Sequence, residues 1–239
     1  MFTSNTLLAL IIVAGISYSV TAKKLTFIAA LTGGLVAYFV FTGAGFTGIA
    51  MMTTFFILGS AATSWQQNKK QAFTIAEERK SGRTTGQVLA NAGVAGTAGL
   101  LVLLYPQFSH LLALMMAASF ASATADTLSS ELGTVYGKRF YNIITLKADE
   151  RGLDGVVSLE GTLTGIAGSC VIAVIYAIGF GWDLNMIWIV IAGTTGNLSD
   201  SVMGALLERK HYIGNNAVNF LNTLIAALVM LLLYLSGVY

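Results

Sequence analysis

The chain has 239 residues, of which 55% are hydrophobic and only 10% are charged. Soluble domains carry about 25% charged residues, so this composition excludes a soluble globular protein and predicts an integral membrane protein. The net charge is only +2, and no nucleic-acid partner is expected.

Apolar segments of about 20 residues recur along the chain and predict eight membrane-spanning helices in one bundle. In chain order, we expect these helices at 4–22, 25–42, 46–64, 85–105, 109–133, 156–179, 184–207 and 215–238. The two longest polar connections are expected at about 65–84 and 134–155. No linker or change of composition divides residues 1–239, so we expect a single all-α membrane domain.

The basic residues indicate how the bundle is oriented in the membrane. All 13 Lys and Arg residues lie in alternate connections, at positions 23–24, 69–83, 138–151 and 209–210. Because positively charged connections stay on the cytoplasmic side, we expect these four connections to be cytoplasmic. Both termini are then expected to lie outside.

Two aspartates are predicted to lie inside the membrane at matched depth. Asp126 lies eight residues before Thr134, and Asp200 lies eight residues before Glu208, so each is about 12 Å from the cytoplasmic end of its helix. Burying an aspartate in a membrane costs about 2.5–3.5 kcal/mol, and the predicted helices contain no Lys or Arg that would offset this cost. Clustered oxygen ligands without a basic partner favour a hydrated divalent cation.

Side-chain amides approach the same depth from two further helices. Asn91 lies about six residues into the helix at 85–105, with Gln87 one turn earlier. Asn215, Asn219 and Asn222 follow the i, i+4, i+7 spacing of one helix face. Because the basic connections lie at headgroup level above them, these carboxylates and amides have the arrangement expected of a metal–polyphosphate site.

Structural explanations of the same residues are open alternatives. An intramembrane aspartate can be held only by hydrogen bonds from neighbouring Ser, Thr or Asn side chains. Glu131 and Glu160 are shallower and suit interfacial water at helix ends, and Asn215 suits the N-cap of the last helix. The sequence contains no Walker A loop, no dinucleotide-binding fingerprint and no recognisable Ser–His–Asp arrangement.

Five stretches of the sequence, taken in order, resemble the signature stretches of a known family. They are RTTGQVLANAG (83–93), SFASATADTLSSELG (119–133), GVVSLEGTLTGIAGS (155–169), GNLSDSVMGALLE (196–208) and NNAVNF (215–220). The family is known as domain of unknown function 92 and includes transmembrane protein 19 and the plant chloroplast phytyl-phosphate kinase. The resemblance covers about residues 5–238. It implies a membrane enzyme that transfers a phosphoryl group from a nucleoside triphosphate to an isoprenyl monophosphate and so forms the diphosphate.

The resemblance assigns motif positions to Asp126, Glu131, Asp200, Gln87, Asn91, Asn215, Asn216 and Asn219. With the residues at matched depth included, the predicted catalytic set is Asp126, Asp200, Asn91, Glu131 and Glu160. With the basic connections included, the predicted substrate-binding set is Lys80, Arg83, Gln87, Lys138, Arg139, Asn197, Asn215, Asn216 and Asn219. The residues expected to hold Mg²⁺ or Mn²⁺ are Asp126, Asp200 and Glu131.

One stretch departs from the family pattern. Where a glycine-rich T-x-G-G-V-S loop is expected, this chain has Leu153, Asp154, Gly155, Val156, Val157 and Ser158. If that loop approaches phosphate through bare backbone, the Val156 side chain narrows the approach.

The leading hypothesis is a metal-dependent prenyl-phosphate kinase in a prokaryotic cell membrane, with its active site facing the cytoplasm. CTP is the expected donor, and a phytyl- or geranylgeranyl-type monophosphate is the expected acceptor. One alternative is an ion-coupled secondary transporter with an intramembrane acidic site. Another is a lipid cytidylyltransferase that uses the same metal–nucleotide chemistry. The oligomeric state is left open.

Overall fold

A computed structural model describes residues 3–67 and 82–237. The described residues form seven α-helices, which are α1 (Ser4–Thr21), α2 (Phe27–Ser64), α3 (Thr85–Leu104), α4 (Ser109–Tyr136), α5 (Leu159–Phe180), α6 (Asn185–Met203) and α7 (Asn215–Leu235). A 3₁₀ turn at Pro106–Phe108 precedes α4, and a π-helical turn at Gly204–Glu208 continues α6. Two short strands, β1 (Tyr141–Asn142) and β2 (Val156–Val157), pair antiparallel in the connection between α4 and α5.

The prediction of an all-α integral membrane protein is confirmed. Six of the described helices are long and apolar enough to cross a membrane, namely α1, α2, α3, α4 with its 3₁₀ turn, α5 and α7. Helix α6 is not among them, and its last third carries Asn197, Asp200 and two serines. Large apolar side chains are exposed along the helices, as expected where a helix faces lipid instead of protein.

Helix α2 folds back on itself at Gly45. A straight helix of 38 residues would be about 57 Å long. However, Lys24 Nζ, just before α2, donates a hydrogen bond of 3.0 Å to Oγ of Ser64 at its end. The reversal occurs at Gly45, whose φ of 57° and ψ of −147° suit a residue without a side chain. The helices predicted at 25–42 and 46–64 are therefore the two arms of one hairpin.

Helix α4 lies at the centre of the bundle and packs against α2, α3, α5, α6 and α7. Its segment 112–125 is almost entirely buried and is rich in alanine and serine. Small residues allow the neighbouring helices to approach closely. For example, a Cβ on Gly133 of α4 would lie 2.8 Å from Cα of Gly161 in α5. This close packing brings the polar ends of α4, α5 and α6 together.

The predicted helix boundaries need correction on both sides of the α4–α5 connection. Helix α4 continues to Tyr136 instead of ending at 133. Helix α5 begins at Leu159 instead of 156, because Val156 and Val157 are held in β2. Ser158 caps α5, since its Oγ accepts a hydrogen bond of 3.1 Å from the Gly161 amide.

The connection between α4 and α5 is fastened to the end of α6. Arg209 donates hydrogen bonds of 2.6 and 3.3 Å to the two carboxylate oxygens of Asp149. Gly155 has a φ of 74°, and an added Cβ there would collide with the backbone of Ala205. This connection therefore forms a wall at the polar end of the bundle.

Candidate active site

A cavity of about 180 Å³ lies at the end of the bundle that carries the α4–α5 connection. Its walls come from the last turns of α4, the first turn of α5, the end of α6 and the loop at 152–158. The polar and charged residues that line it are Asp126, Ser129, Ser130, Thr134, Asp154, Ser158, Thr162, Asp200, Ser201, Glu208 and Asn215. None of the described lining residues is Lys, Arg or His.

Two aspartates face each other in this cavity. Asp126 on α4 and Asp200 on α6 have their carboxyl groups within hydrogen-bonding reach of each other. Asn222 Nδ2 on α7 donates a hydrogen bond of 2.7 Å to Oδ1 of Asp200. Two carboxylates this close repel each other unless a proton or a cation lies between them. The sequence-based pairing of Asp126 with Asp200 at one depth therefore corresponds to a contact in the fold.

Two further carboxylates line the cavity, and neither was assigned to the site from the sequence. Burial raises the pKa of the Asp154 carboxyl above its ordinary value. Burial, followed by repulsion from Asp154 and Asp200, raises the pKa of Glu208 to about 7. Four carboxyl groups therefore share one cavity. Glu208 ends the motif GNLSDSVMGALLE, so its motif position was the signal that could have identified it.

Hydroxyl groups form the rest of the polar lining except for Asn215, and none of them was among the predicted site residues. On α4, the lining positions 126, 129, 130, 133 and 134 follow the i, i+3, i+4, i+7, i+8 pattern of one helix face. Ser129 Oγ also donates a hydrogen bond of 3.0 Å to Oδ1 of Asn197 on α6. Extending the face of Asp126 along α4 would have found these serines.

The predicted amide residues are divided between the cavity and its surroundings. Asn215 lines the cavity, and Asn219 Nδ2 lies 3.4 Å from Oδ1 of Asn215, one turn further along α7. Asn215 is not the N-cap of α7, because Gly214 occupies that position. Asn216 packs against Gly86, since its Nδ2 would lie 2.9 Å from a Cβ there.

The other predicted amides make local contacts in their own helices or between helices. On α3, Gln87 Oε1 accepts a hydrogen bond from the Thr84 amide at 2.9 Å, in a capping box. Asn91 Nδ2 donates to the Gln87 carbonyl at 2.9 Å. Neither Gln87, Asn91 nor Asn197 is among the residues that line the cavity.

The predicted acidic and basic partners that the structure describes, apart from Asp126 and Asp200, do not line the cavity. Glu131 and Glu160 are not lining residues, and Glu160 Oε2 lies 3.4 Å from the Lys138 amide. Arg83 packs beside Gly59, where an added Cβ would lie 3.2 Å from Nη2 of Arg83 and 3.5 Å from the Thr127 methyl. Arg83 is therefore on the side of α4 that faces α2. Lys138 and Arg139 do not line the cavity either, and Lys80 lies outside the described residues.

The donor set of the cavity fits a hard divalent cation. Its side chains offer carboxylate, hydroxyl and amide oxygens, which are the ligands that Mg²⁺ prefers. Within residues 3–67 and 82–237, no three His, Cys, Asp or Glu side chains lie close enough to bind one ion. Asp126 and Asp200 would therefore need further ligands from a bound phosphate, from water or from neighbouring hydroxyl and amide groups. The assignment of Glu131 as a third ligand stays a prediction.

The fold and the cavity define a class of protein: an integral membrane protein with an acidic cavity at one end of its helical bundle. The sequence places this chain in a particular family within that class. It belongs to the family described as integral membrane protein DUF92, which matches residues 9–227. The family predicted from the five sequence stretches is thereby confirmed.

Relatives of the chain come from bacteria, plants and archaea. An uncharacterised membrane protein of Synechocystis is 36% identical over 188 residues, which cover 77% of this chain and 73% of that protein. The chloroplastic protein VTE6 of Arabidopsis thaliana is 32% identical over 202 residues, which cover 79% of this chain but only 59% of VTE6. An uncharacterised membrane protein of Methanocaldococcus jannaschii is 34% identical over 206 residues, or 85% of this chain and 82% of that protein. No solved structure matches the chain.

Proposed function

We propose that this protein is a membrane kinase that transfers the terminal phosphoryl group of a nucleoside triphosphate to an isoprenyl monophosphate. The observation that carries the proposal is the facing pair Asp126 and Asp200, in an oxygen-lined cavity without a basic lining residue among those described. The family resemblance to the plant phytyl-phosphate kinase supports the choice of acceptor. CTP is the proposed donor, and a phytyl- or geranylgeranyl-type monophosphate is the proposed acceptor.

The proposed roles follow from where the side chains lie. Asp126 and Asp200 would hold Mg²⁺ or Mn²⁺, and Ser129, Ser201 and Asn215 would orient phosphate oxygens or bound water. When bound, the metal would supply the positive charge that bridges and neutralises the donor phosphates. The acceptor is already an ionised phosphate, so the chain needs no strong general base. Positioning of the two substrates and stabilisation of charge are sufficient.

The basic connections would neutralise the charge that the metal leaves on the two substrates. Lys138 and Arg139 immediately follow α4, and Arg83 immediately precedes α3. Lys138 and Arg139 begin the connection that forms a wall of the cavity, and Arg83 lies on the side of α4 that faces α2. Lys and Arg side chains are long and flexible, and we propose that these side chains turn toward a bound polyphosphate. Together with Lys80, they remain the proposed phosphate-binding cations.

We also propose a topology of eight crossings with both termini outside. The two arms of α2 would count as separate crossings, and α6, which ends at Met203, would be the crossing that hydropathy alone does not identify. The positive-inside rule then places the cavity at the cytoplasmic face, where nucleoside triphosphate is available. The prenyl chain of the acceptor would lie between helices at the same leaflet.

The test is product formation by the purified protein. Labelled CTP, ATP, GTP or UTP is supplied with Mg²⁺ and with geranylgeranyl or phytyl monophosphate, and diphosphate formation is measured. We expect product with CTP and none with Asp126→Asn or Asp200→Asn. Asp183→Asn is the matched control, because Asp183 lies at the opposite end of α6 and its carboxylate accepts hydrogen bonds from the backbone amide and the side chain of Asn185.

The products also distinguish the alternatives. Absence of diphosphate with every donor, or full activity in both cavity variants, would exclude the kinase. Release of pyrophosphate instead of nucleoside diphosphate would identify a cytidylyltransferase. Ion-dependent solute uptake by proteoliposomes, without nucleotide turnover, would identify a transporter.

A further inference from the structure

Asn222 is a fully buried amide that joins three helices beneath the acidic pair. It lies on α7 and has no solvent exposure. Its Nδ2 donates a hydrogen bond of 2.7 Å to Oδ1 of Asp200 on α6. Its Oδ1 accepts a hydrogen bond of 3.1 Å from Oγ of Ser122 on α4, and its carbonyl oxygen lies 3.3 Å from the same Oγ. Asn222 does not itself line the cavity.

The two ends of the amide have distinct partners, which fixes its orientation. An ionised carboxylate only accepts hydrogen bonds, so the amide nitrogen must face Asp200. The amide oxygen then needs a donor, and the Ser122 hydroxyl supplies it. Rotating the amide by half a turn would put oxygen against oxygen at Asp200. Ser122 therefore holds Asn222 in the one orientation that supports Asp200.

Ser122, Gly196 and Asn222 form a layer one helical turn from the acidic pair. Ser122 and Asp126 are four residues apart on α4, and Gly196 and Asp200 are four residues apart on α6. Gly196 permits the close approach, because an added Cβ there would collide with Ser122 Oγ and lie 2.7 Å from the Asn222 carbonyl oxygen. Both aspartates thus lie directly above a packed, hydrogen-bonded layer.

We propose that Asn222 is a positioning residue that holds the Asp200 carboxylate toward Asp126 in the geometry that binds the divalent cation. The proposal rests on the proposed function of this site and assigns a role to a residue behind it. Partners that orient metal ligands in this way commonly change metal affinity or activity about 10- to 100-fold when they are replaced. The same size of effect is expected here, although Asn222 touches neither metal nor substrate.

The test compares Asn222→Leu, which keeps the branched shape but removes both hydrogen bonds, with wild-type protein. We expect kcat to fall about 10- to 100-fold and the Kd for Mn²⁺ to rise by a similar factor. The KM for the prenyl phosphate should stay nearly unchanged, because Asn222 does not line the cavity. Mn²⁺ binding is measured by electron paramagnetic resonance without nucleotide or acceptor.

The matched control is Thr223→Val at the neighbouring, equally buried position. Thr223 Oγ1 bonds the Phe220 carbonyl at 2.8 Å and lies 3.4 Å from the Ala90 carbonyl, so the variant also removes a buried hydroxyl between helices. It leaves Asp200 untouched, and we expect kcat and Mn²⁺ affinity close to wild type. Ser122→Ala keeps Asn222 but frees its amide, and we expect a smaller loss of both quantities than in Asn222→Leu.

The outcomes separate this proposal from the proposed function. If the wild-type protein forms no diphosphate but binds Mn²⁺, the kinase is excluded and the Mn²⁺ titration alone decides the role of Asn222. If the wild-type protein neither turns over nor binds Mn²⁺, both proposals fail. If Asn222→Leu matches wild type in kcat and Mn²⁺ affinity, Asn222 has no positioning role. Should Asn222→Leu not purify as a folded protein, unchanged kcat and Mn²⁺ affinity in Ser122→Ala would overturn the proposal.

Discussion

Two acidic sites at the same end of the bundle have opposite electrostatic surroundings. Asp149 in the α4–α5 connection accepts two hydrogen bonds from Arg209. Asp126 and Asp200 face each other instead, and no described residue that lines their cavity is basic. The first carboxylate has its cation within the chain and fastens a loop. The described part of the chain supplies the pair with no basic lining residue, so a proton or a bound cation would have to relieve the repulsion between the two carboxylates.

The largest expected effect comes from removing one charge of the pair. Asp200→Asn keeps the shape and can still accept a hydrogen bond from Asn222, but it no longer repels Asp126. We expect kinase activity to fall by about 10³-fold or more, since electrostatic stabilisation is lost at the reacting phosphates. The thermal unfolding temperature in detergent should be unchanged or higher. A variant with activity near wild type and a lower unfolding temperature would show that the pair is structural.

The next effect concerns the wall that the α4–α5 connection forms. Gly155→Ala places a side chain at a φ of 74° and against the Ala205 backbone, so the wall must shift relative to the end of α6. We expect a loss of about 1–3 kcal/mol in stability from backbone strain, together with reduced activity. Gly181→Ala is the control, because Gly181 also has a positive φ, of 112°, but no atom lies near its added Cβ. Equal activity of the two variants, measured as diphosphate formation, would contradict a role for this wall.

Glu208 gives a smaller effect that depends on pH. The folded protein raises the pKa of Glu208 from 4.5 to about 7, so the fold favours the protonated form. Its contribution to stability is full below pH 4.5 and is lost as the pH rises through about 7. We expect Glu208→Gln to remove this part of the loss of stability with rising pH. Unfolding temperatures between pH 5 and pH 8 measure it, and identical pH dependence in wild type and variant would argue against the shift.

The smallest effect is expected at the ion pair of Asp149 and Arg209. Its contribution to stability changes with pH in the direction opposite to that of Glu208. The Arg209 hydrogen bonds hold the pKa of Asp149 well below its usual range. The contribution of this pair is therefore full above the ordinary carboxyl pKa of 3.8 and is lost as the pH falls below it. Asp149→Asn should make the connection at 137–158 more accessible to protease at neutral pH while leaving the acidic cavity intact. Lys210→Ala, which changes an exposed basic residue next to Arg209, is the control, and the protease should cleave it at the wild-type rate.

Much of the site could be predicted from the sequence because its depth is a local property. Counting residues from the helix ends placed Asp126 and Asp200 at one level, and the structure brings their carboxyl groups together. The hydroxyl residues of α4 could also have been predicted, since they share one helix face with Asp126. The rotation of each helix about its own axis, relative to its neighbours, could not be predicted from the sequence. Glu131 lies five residues after Asp126, about 140° around the same helix, and does not line the cavity, so its assignment as a third metal ligand stays a prediction.

The sequence by itself determined the class of protein, the position of the apolar segments and the matched level of the two aspartates along their helices. These follow from composition and from spacing along single helices, which neighbouring residues fix locally. The tertiary structure alone decided that α2 reverses at Gly45, that Asp154 and Glu208 join the cavity, and that Asn222 supports Asp200. Each of these depends on how helices pack against one another. Contacts between residues distant in sequence are set by the closest approach that small side chains permit.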